Sequence, residues 1–239
     1  MAGARWHSER GDASQASVLA SSFTGYSDRL KIMAYSFAPW VDGEISGVAR
    51  FEATYVPDGD SGPVPRPMDD VLDAVFLGAV RAAFETVCEH YPILGRACVL
   101  WDIQRFPVGL LSVGGDSIYG VAVLVFAKVV AEFFPDAANR DIRGLRVDRI
   151  GITASPGDKG CFGSVGGGSL RRKLEALAVL QPISIAVIPR GQPGAPTKNG
   201  SEVHEFEGPL GLKLPWVEGH DPWECIENLY LLQARSILV

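Results

Sequence analysis

The chain has 239 residues, of which 47% are hydrophobic and 21% are charged, and its formal net charge at pH 7 is −6. This composition is typical of a globular protein and excludes a mainly disordered chain, and the length suffices for one well-buried core. The negative charge and the lack of a basic stripe argue against a nucleic-acid-binding protein, which needs positive charge to neutralise phosphates.

The spacing of the cysteines bears on metal and cofactor binding, and the hydropathy of the chain bears on its location in the cell. The four cysteines lie apart without a Cys-x-x-Cys pair, and no histidines stand at ligand spacing, so we expect reduced, buried thiols, no metal and no other cofactor. The longest strongly apolar stretch, residues 121–130, is shorter than the ~20 residues that span a bilayer, and the first residues lack the apolar core of a secretory signal. We therefore predict a soluble, cytoplasmic protein that does not associate with membranes.

The first third of the chain predicts an arm followed by two strands. Residues 1–29 are rich in Ser, Ala and Gly without periodicity and are interpreted as a mobile arm, so the folded domain is predicted to span residues 30–239. A strand begins at Leu30, and residues 48–56 alternate as a half-exposed strand does. The buried face of that second strand comprises Ala49, Phe51, Ala53 and Tyr55, and its exposed face comprises Arg50, Glu52 and Thr54.

A loop and a helix are predicted next. Residues 58–67 are dense in turn-forming types and predict a loop, after which Asp69 or Asp70 caps a helix that ends near His90. The apolar stripe of this helix comprises Leu72, Val75, Ala79, Ala83 and Val87.

The later elements mix strands and helices. Residues 117–134 predict a helix that is buried on most sides, because residues 121–130 are almost wholly apolar. Residues 190–220 are interpreted as a long polar connection, and Asp221 caps the last helix, with Pro222 at its first position. The other predictions are strands at 97–104, 147–154 and 183–189, a loop at 106–116, a loop or short hairpin at 157–168 and a helix at 170–180. The mixture predicts an α/β protein in layers.

Two glycine-rich segments carry residues that can perform catalysis. Residues 114–120 read GGDSIYG and place Ser117 at the start of a helix, and residues 166–177 read GGGSLRRKLEAL and place Lys173 on another. A serine hydroxyl can attack a carbonyl when a desolvated lysine accepts its proton. Backbone N–H groups beside the serine can stabilise the resulting oxyanion, and the glycines let a substrate approach closely.

A lysine can act as a base only when its pKa falls toward neutrality. Lys173 stands in the first turn of a helix that also carries Leu170, Leu174 and Leu177, which favours burial. The positive end of the helix dipole disfavours an ammonium at the same place. Both effects are expected to stabilise the neutral amine.

The residue patterns alone also permit interpretations other than catalysis. A glycine-flanked serine is a common turn residue, and a lysine on a short helix is usually solvated. The glycine runs lack a full nucleotide-binding fingerprint, and His90 and His220 are explained by helix ends and turns. Asp102 and Asp116 have no third acidic residue near them in sequence, so a metal site is not indicated.

The same residues resemble the proteolytic domain of the Lon family, especially its archaeal-type branch. That family has a Gly-Asp-Ser segment, then a strand ending in Met-Thr-Gly, a short hairpin, Val-Gly-Gly, and a helix of the type Lys-Ile-Glu-Ala-Ala. The matching segments here are Gly115-Asp116-Ser117, Ile152-Thr153-Ala154, Val165-Gly166-Gly167 and Lys173-Leu174-Glu175-Ala176-Leu177. The similarity covers roughly residues 31 to 235 and is specific around the serine and the lysine.

The resemblance implies a fold and a set of roles. The fold is the Lon proteolytic domain fold, related to domain 2 of ribosomal protein S5. Ser117 corresponds to the nucleophile and Lys173 to the base, and Thr153 corresponds more weakly to a polar residue near the lysine. The residues themselves indicate that Gly115 and Asp116 support the oxyanion site, with Asp116 setting the conformation of the serine loop.

The same resemblance implies partners. The substrate class is protein or peptide, and the family's rings suggest a homo-oligomer, with a hexamer as the natural expectation. The sequence contains no Gly-x-x-x-x-Gly-Lys-[Ser/Thr] loop, so unfolding of substrates is expected to need a separate unfoldase. The alternative is a catalytically silent Lon-like domain that serves as a binding or assembly module.

Overall fold

The computed structural model describes residues 33–57, 59–66, 72–106, 115–166, 169–180, 183–196 and 203–237. The predicted arm at 1–29, the two capping candidates Asp69 and Asp70, and most of the predicted loop at 106–116 lie outside these residues. Within the described residues, no helix is both long and apolar enough to cross a membrane.

The described residues form a mixed α/β structure, which confirms the predicted class. The helices are α1 (Ala74–His90), α2 (Tyr119–Phe133), α3 (Arg140–Gly144), α4 (Leu170–Val179) and α5 (Pro222–Ile237). The strands of the main sheet are β1 (Ala34–Asp42), β2 (Ile45–Val56), β3 (Gly62–Pro65), β4 (Cys98–Phe106), β5 (Ile150–Ile152), β8 (Ile185–Pro189), β9 (His204–Glu207) and β10 (Lys213–Gly219). A separate short hairpin consists of β6 (Ser155–Pro156) and β7 (Phe162–Gly163).

The direction of the central strands determines where a site can form. The strand order in the main sheet is β3-β4-β2-β1-β5-β8-β10-β9. Strands β1, β5, β8 and β10 run parallel, so their carboxyl ends point the same way. The residues that follow β5 and β8 therefore meet at one end of the sheet, where ligands of open α/β sheets usually bind.

Helices cover both faces of the sheet. One face packs against α1, α2 and α5 in a large apolar core that includes Phe51 and Phe126. The other face packs against α4 in a second cluster that includes Val48 and Leu174. Helix α2 is buried along almost its whole length, as predicted from its apolar sequence.

The prediction that β2 is half exposed is wrong. Its inward face packs as predicted, yet Glu52 and Thr54 on the supposed exposed face are 2% and 1% exposed. The Glu52 carboxylate contacts the guanidinium of Arg50 and lies 3.6 Å from that of Arg66. A buried carboxylate is tolerated when it is paired, and alternation alone cannot show that pairing.

Three strands lie in segments that were predicted as loops. The predicted loop at 58–67 contains β3, which is parallel to β4 at an edge of the sheet, where prolines are tolerated. The predicted connection at 190–220 contains β9 and β10, an antiparallel pair. These segments were predicted as loops because they contain proline and glycine. Their strands are stabilised by pairing with distant parts of the chain, which the local sequence does not show.

Smaller differences concern the ends and faces of helices. Helix α1 begins at Ala74, and its cap is Asp73, whose Oδ1 accepts a hydrogen bond from the N–H of Phe76. Val75 of the predicted stripe is 57% exposed, and Phe76 is buried in its place. Helix α2 begins at Tyr119, two residues later than predicted, and strand β5 is shorter than predicted. A short hairpin is present, but its first strand, Ser155–Pro156, lies before the segment 157–168 that was predicted as a loop or short hairpin. The Asp221 cap is present.

Candidate active site

Ser117 and Lys173, which are 56 residues apart in sequence, lie in contact. The Lys173 Nζ atom is 3.0 Å from the Ser117 Oγ atom. Ser117 stands in the turn before α2, and Lys173 stands in the first turn of α4, so the two faces of the sheet each supply one residue. The distance is within the range in which a base can take a proton from a hydroxyl.

Backbone hydrogen bonds hold the serine turn to the end of β5. The carbonyl of Ser117 accepts from the N–H of Ala154 at 3.2 Å, and the carbonyl of Ala154 accepts from the N–H of Gly120 at 3.1 Å. Gly120 permits this close approach, because a Cβ atom there would lie 3.0 Å from side-chain atoms of both Ile152 and Ala154. The serine position is therefore coupled to a strand of the central sheet.

The backbone from Gly115 to Ser117 contains two N–H groups that are candidates for an oxyanion site. Gly115 has a φ of +90°, a conformation that residues with a side chain rarely adopt. Within the described part of the chain, the backbone N–H groups of Asp116 and Ser117 have no hydrogen-bond acceptor. Two such donors beside the hydroxyl can bind a negative oxygen.

The environment of Lys173 favours its neutral form. The side chain is 6% exposed and lies on the buried side of α4 together with Leu170, Leu174 and Leu177. Burial lowers the pKa of Lys173 from its ordinary value of 10.5 to about 8, and the nearby charge of Asp116 acts in the opposite direction. Within the described residues, the amine contacts two hydroxyl groups and no carboxylate.

Thr153 supplies the second of those hydroxyls. Its Oγ1 atom is 3.2 Å from the Lys173 Nζ atom, and the residue is fully buried. The N–H of Thr153 donates to the carbonyl of Val187 in β8 at 3.2 Å, which holds the residue at the end of β5. Thr153 thus lies beside the lysine, as the resemblance implied.

Asp116 contacts a residue that sequence reasoning missed. Its Oδ1 atom accepts a hydrogen bond of 2.6 Å from the hydroxyl of Ser155, which is 4% exposed. The carboxylate therefore ties the serine turn to the β6–β7 hairpin, in agreement with its predicted role in holding the loop. Ser155 could not be identified beforehand, because nothing in its local pattern signals a contact 39 residues away.

No protein-family model matches this sequence, and no curated protein matches it. The resemblance to the Lon family therefore depends on the sequence segments around Ser117 and Lys173.

Tyr119 and Gln192 make contacts to other elements that the sequence did not indicate. The Tyr119 hydroxyl donates to the carbonyl of Gly160 at 2.7 Å and is 2.9 Å from the hydroxyl of Thr86. It thereby joins α1, α2 and the β6–β7 hairpin. Gln192 bonds to the backbone of Val165, in the segment that leads to α4.

The remaining candidates have other surroundings. The ring of His90 stacks on that of Trp223 with centroids 3.9 Å apart, at the junction of α1 and α5. Asp102 lies 3.7 Å from the guanidinium of Arg66, so it has a different partner from Asp116. The four cysteines are free thiols, two of them buried and two half-buried, and the described residues contain no group of three or more potential metal ligands.

One cavity of the described structure lies apart from the Ser117–Lys173 dyad. It has a volume of about 370 Å³ and lies between α4, the start of β2 and Pro209. Neither Ser117 nor Lys173 lines it. The contact between these two residues, rather than the size of a cavity, identifies the candidate active site.

Proposed function

We propose that this chain is a Lon-like serine peptidase that hydrolyses peptide bonds of unfolded or docked proteins without ATP. The observation that carries the proposal is the 3.0 Å contact between the Ser117 hydroxyl and a buried lysine amine. A lysine with a pKa of about 8 is partly neutral at physiological pH, so it can accept a proton. A solvated surface lysine could not do this efficiently.

The proposed reaction has two halves. Lys173 takes the proton of the Ser117 hydroxyl while the serine oxygen attacks the carbonyl carbon of the substrate, and the N–H groups of Asp116 and Ser117 bind the oxyanion. The C–N bond breaks, the leaving amine receives the proton from Lys173, and an acyl-enzyme forms. Water then attacks the ester, with Lys173 as base, and its proton returns to the Ser117 oxygen as the acid product leaves.

Thr153 and Asp116 complete the proposed site. The Thr153 hydroxyl accepts a hydrogen bond from the lysine amine, and in the proposed mechanism the lone pair of the neutral amine accepts the Ser117 proton. The Asp116 charge raises the pKa of Lys173 and so limits the effect of burial. A base near pKa 8 is strong enough to deprotonate serine in the transition state and is still available at pH 7 to 8.

The resemblance extends the proposal beyond the site. It includes the fold of the Lon proteolytic domain, related to domain 2 of ribosomal protein S5, with residues 30–239 as the domain. It also includes a cytoplasmic homo-oligomer, as a hexameric ring, for which a separate unfoldase unfolds those substrates that are folded. The molecular mass of the purified protein in solution tests whether it forms a hexamer.

Hydrolysis of a fluorescently labelled unfolded protein, without ATP, tests the activity. We expect the purified chain to release labelled peptides, and we expect Ser117→Ala and Lys173→Ala each to reduce the rate by at least ~10³-fold, because the two residues act as a unit. Ser184→Ala and Lys213→Ala are matched controls at exposed positions of the chain. They should retain the activity of the parent protein.

Equal rates from the parent and from both dyad variants would refute the proposal. A folded parent protein that binds unfolded protein without cleaving it would instead identify a silent binding module. Circular dichroism of each variant separates loss of chemistry from loss of folding.

A further inference from the structure

Gln192 makes a set of buried hydrogen bonds that resembles a strand pairing. Its Oε1 atom accepts from the N–H of Val165 at 2.9 Å, and its Nε2 atom donates to the carbonyl of Val165 at 2.8 Å. Gln192 is 3% exposed and Val165 is 5% exposed. One side-chain amide therefore satisfies both backbone groups of a buried residue, as a neighbouring strand would.

The main chain holds Gln192 itself at the end of the parallel sheet. The residue follows β8, and its N–H donates to the carbonyl of Pro189, the last residue of that strand, at 3.2 Å. Its own carbonyl accepts from the N–H of Ala195 at 3.2 Å, and its Nε2 atom also donates to the carbonyl of Pro193. The side chain is thus presented from a turn that is continuous with the central sheet.

The bonded residue, Val165, stands just before the lysine helix. Val165 packs in the same apolar cluster as Leu170 and Leu174 of α4. The next residue, Gly166, accepts hydrogen bonds from both the N–H and the hydroxyl of Ser169, immediately before α4 begins. Displacement of Val165 would therefore move the start of the helix on which Lys173 stands.

We propose that Gln192 is a positioning residue, which holds the segment before α4 and so keeps the Lys173 amine against the Ser117 hydroxyl. This inference rests on the proposed function for its kinetic consequence, although its structural consequence can be measured independently. Misplacement of a catalytic group by about 1 Å can reduce a rate by about 100-fold. Loss of the amide leaves two buried backbone groups of Val165 unpaired, which favours such a displacement.

The test compares two glutamines that bind backbone in the same way. Gln233 in α5 accepts from the N–H of Arg146 and donates to its carbonyl, at an exposed place remote in sequence from both dyad residues. Gln192→Met and Gln233→Met each remove an amide and keep the length of the side chain. The first should slow acylation of Ser117 by a β-lactone about 100-fold, as followed by intact mass, and the second should leave the rate unchanged.

A second readout does not require activity. Titration of the Lys173 amine by ¹⁵N NMR should give a pKa of about 8 in the parent and in Gln233→Met. In Gln192→Met the pKa should move toward the ordinary value of 10.5, because the amine leaves its buried position. This separates positioning of the lysine from a general loss of stability.

The outcomes distinguish the two proposals. An unchanged acylation rate and an unchanged Lys173 pKa in Gln192→Met would overturn the role of Gln192 and leave the peptidase proposal intact. A parent protein that is not acylated would count against the peptidase, and the NMR titration would still decide the role of Gln192. Should Gln192→Met fail to fold, Gln192→Glu provides a second variant, because its protonated carboxyl can accept from the N–H of Val165 and donate to its carbonyl. It should slow acylation in the same direction, and the effect should increase as the buried carboxyl ionises.

Discussion

The two helices that bring the dyad together are held in different ways. Twelve of the 15 residues of α2 are buried, against five of the ten residues of α4. The serine turn before α2 is joined to the end of β5 by backbone hydrogen bonds, whereas the segment before α4 is joined to the sheet by the side chain of Gln192. Substitutions of single side chains should therefore disturb the position of the lysine more easily than that of the serine.

The two helices also differ in the surroundings of the lysine that each one carries. Lys128 in α2 has a side chain that is 13% exposed, and its amine contacts the Glu132 carboxylate and the carbonyls of Ile142 and Arg143. Lys173 is buried against two hydroxyls, without a carboxylate partner among the described residues. A buried lysine that contacts a carboxylate and carbonyl oxygens is stabilised as the ammonium. A buried lysine without a counter-charge is stabilised as the neutral amine.

The largest effect is expected from Lys173→Met. The lowered pKa of Lys173, about 8 against 10.5, means that its protonated form opposes folding at pH 7. Removal of the charge should raise the free energy of unfolding at pH 7 by up to about 3 kcal/mol, while activity is lost. Lys128→Met should instead lower it by about 1 to 2 kcal/mol, because an ion pair and two bonds to carbonyls disappear.

Urea denaturation at several pH values checks this pair of variants. The unfolded chain binds the proton of Lys173 more tightly than the folded chain does, so the stability of the parent should rise as pH increases from about 8 to 10.5. That rise should be reduced in Lys173→Met and retained in Lys128→Met. Equal destabilisation by both variants would show that Lys173 is an ordinary charged residue.

Gly115→Ala tests the serine half of the comparison. A side chain at a φ of +90° introduces backbone strain on the order of 1 to 2 kcal/mol, and relief of that strain would rotate the amides that follow. We expect peptide hydrolysis to fall about 10- to 100-fold, chiefly in kcat. An unchanged kcat would mean that the amides after Gly115 do not bind the oxyanion.

Tyr119→Phe should have a smaller effect. The variant removes the hydroxyl that bonds to Gly160 and Thr86 and leaves the buried ring in place. We expect a loss of about 1 kcal/mol in unfolding free energy and a decrease of a few-fold in kcat, measured by thermal melting and peptide hydrolysis. Tyr55→Phe, where the ring packs on Phe133 and Phe134, is the matched control. A larger loss of unfolding free energy or kcat in Tyr55→Phe would show that the hydrogen bonds of Tyr119 have no particular effect.

The smallest effect concerns His90, which lies on α1 rather than in the dyad. Partial burial lowers its pKa from the ordinary value of 6.5, against the opposing charge of Asp221. The unfolded chain therefore binds the proton more readily, and stability should decrease as pH falls below about 6.5. Solvent screening limits the contribution to less than about 1 kcal/mol.

His90→Phe keeps the stacking on Trp223 without the titration. Its melting temperature should therefore fall less between pH 7.5 and 5.5 than that of the parent. Equal decreases in the melting temperatures of the two proteins would show that His90 does not contribute to the loss of stability at low pH.

What could be predicted from the sequence was local. Ser117 and Lys173 stand in segments whose glycines, helix start and leucine spacing carry their own signal, and the apolar run of α2 predicts its burial. Glu52, Ser155 and Gln192 could not be assigned, because their roles depend on partners that lie far away in the chain or in other strands. Strands β3 and β10 were missed because their prolines are typical of loops, and only pairing with neighbouring strands stabilises them.

The central claim is that Lys173 activates Ser117. The most direct test is the rate at which a β-lactone acylates Ser117 as a function of pH, with the adduct located by mass spectrometry. The rate should rise with pH, reach a plateau and have a midpoint near 8, and the rise should be absent in Lys173→Met. Failure to modify Ser117, or an identical pH profile in Lys173→Met, would contradict the claim.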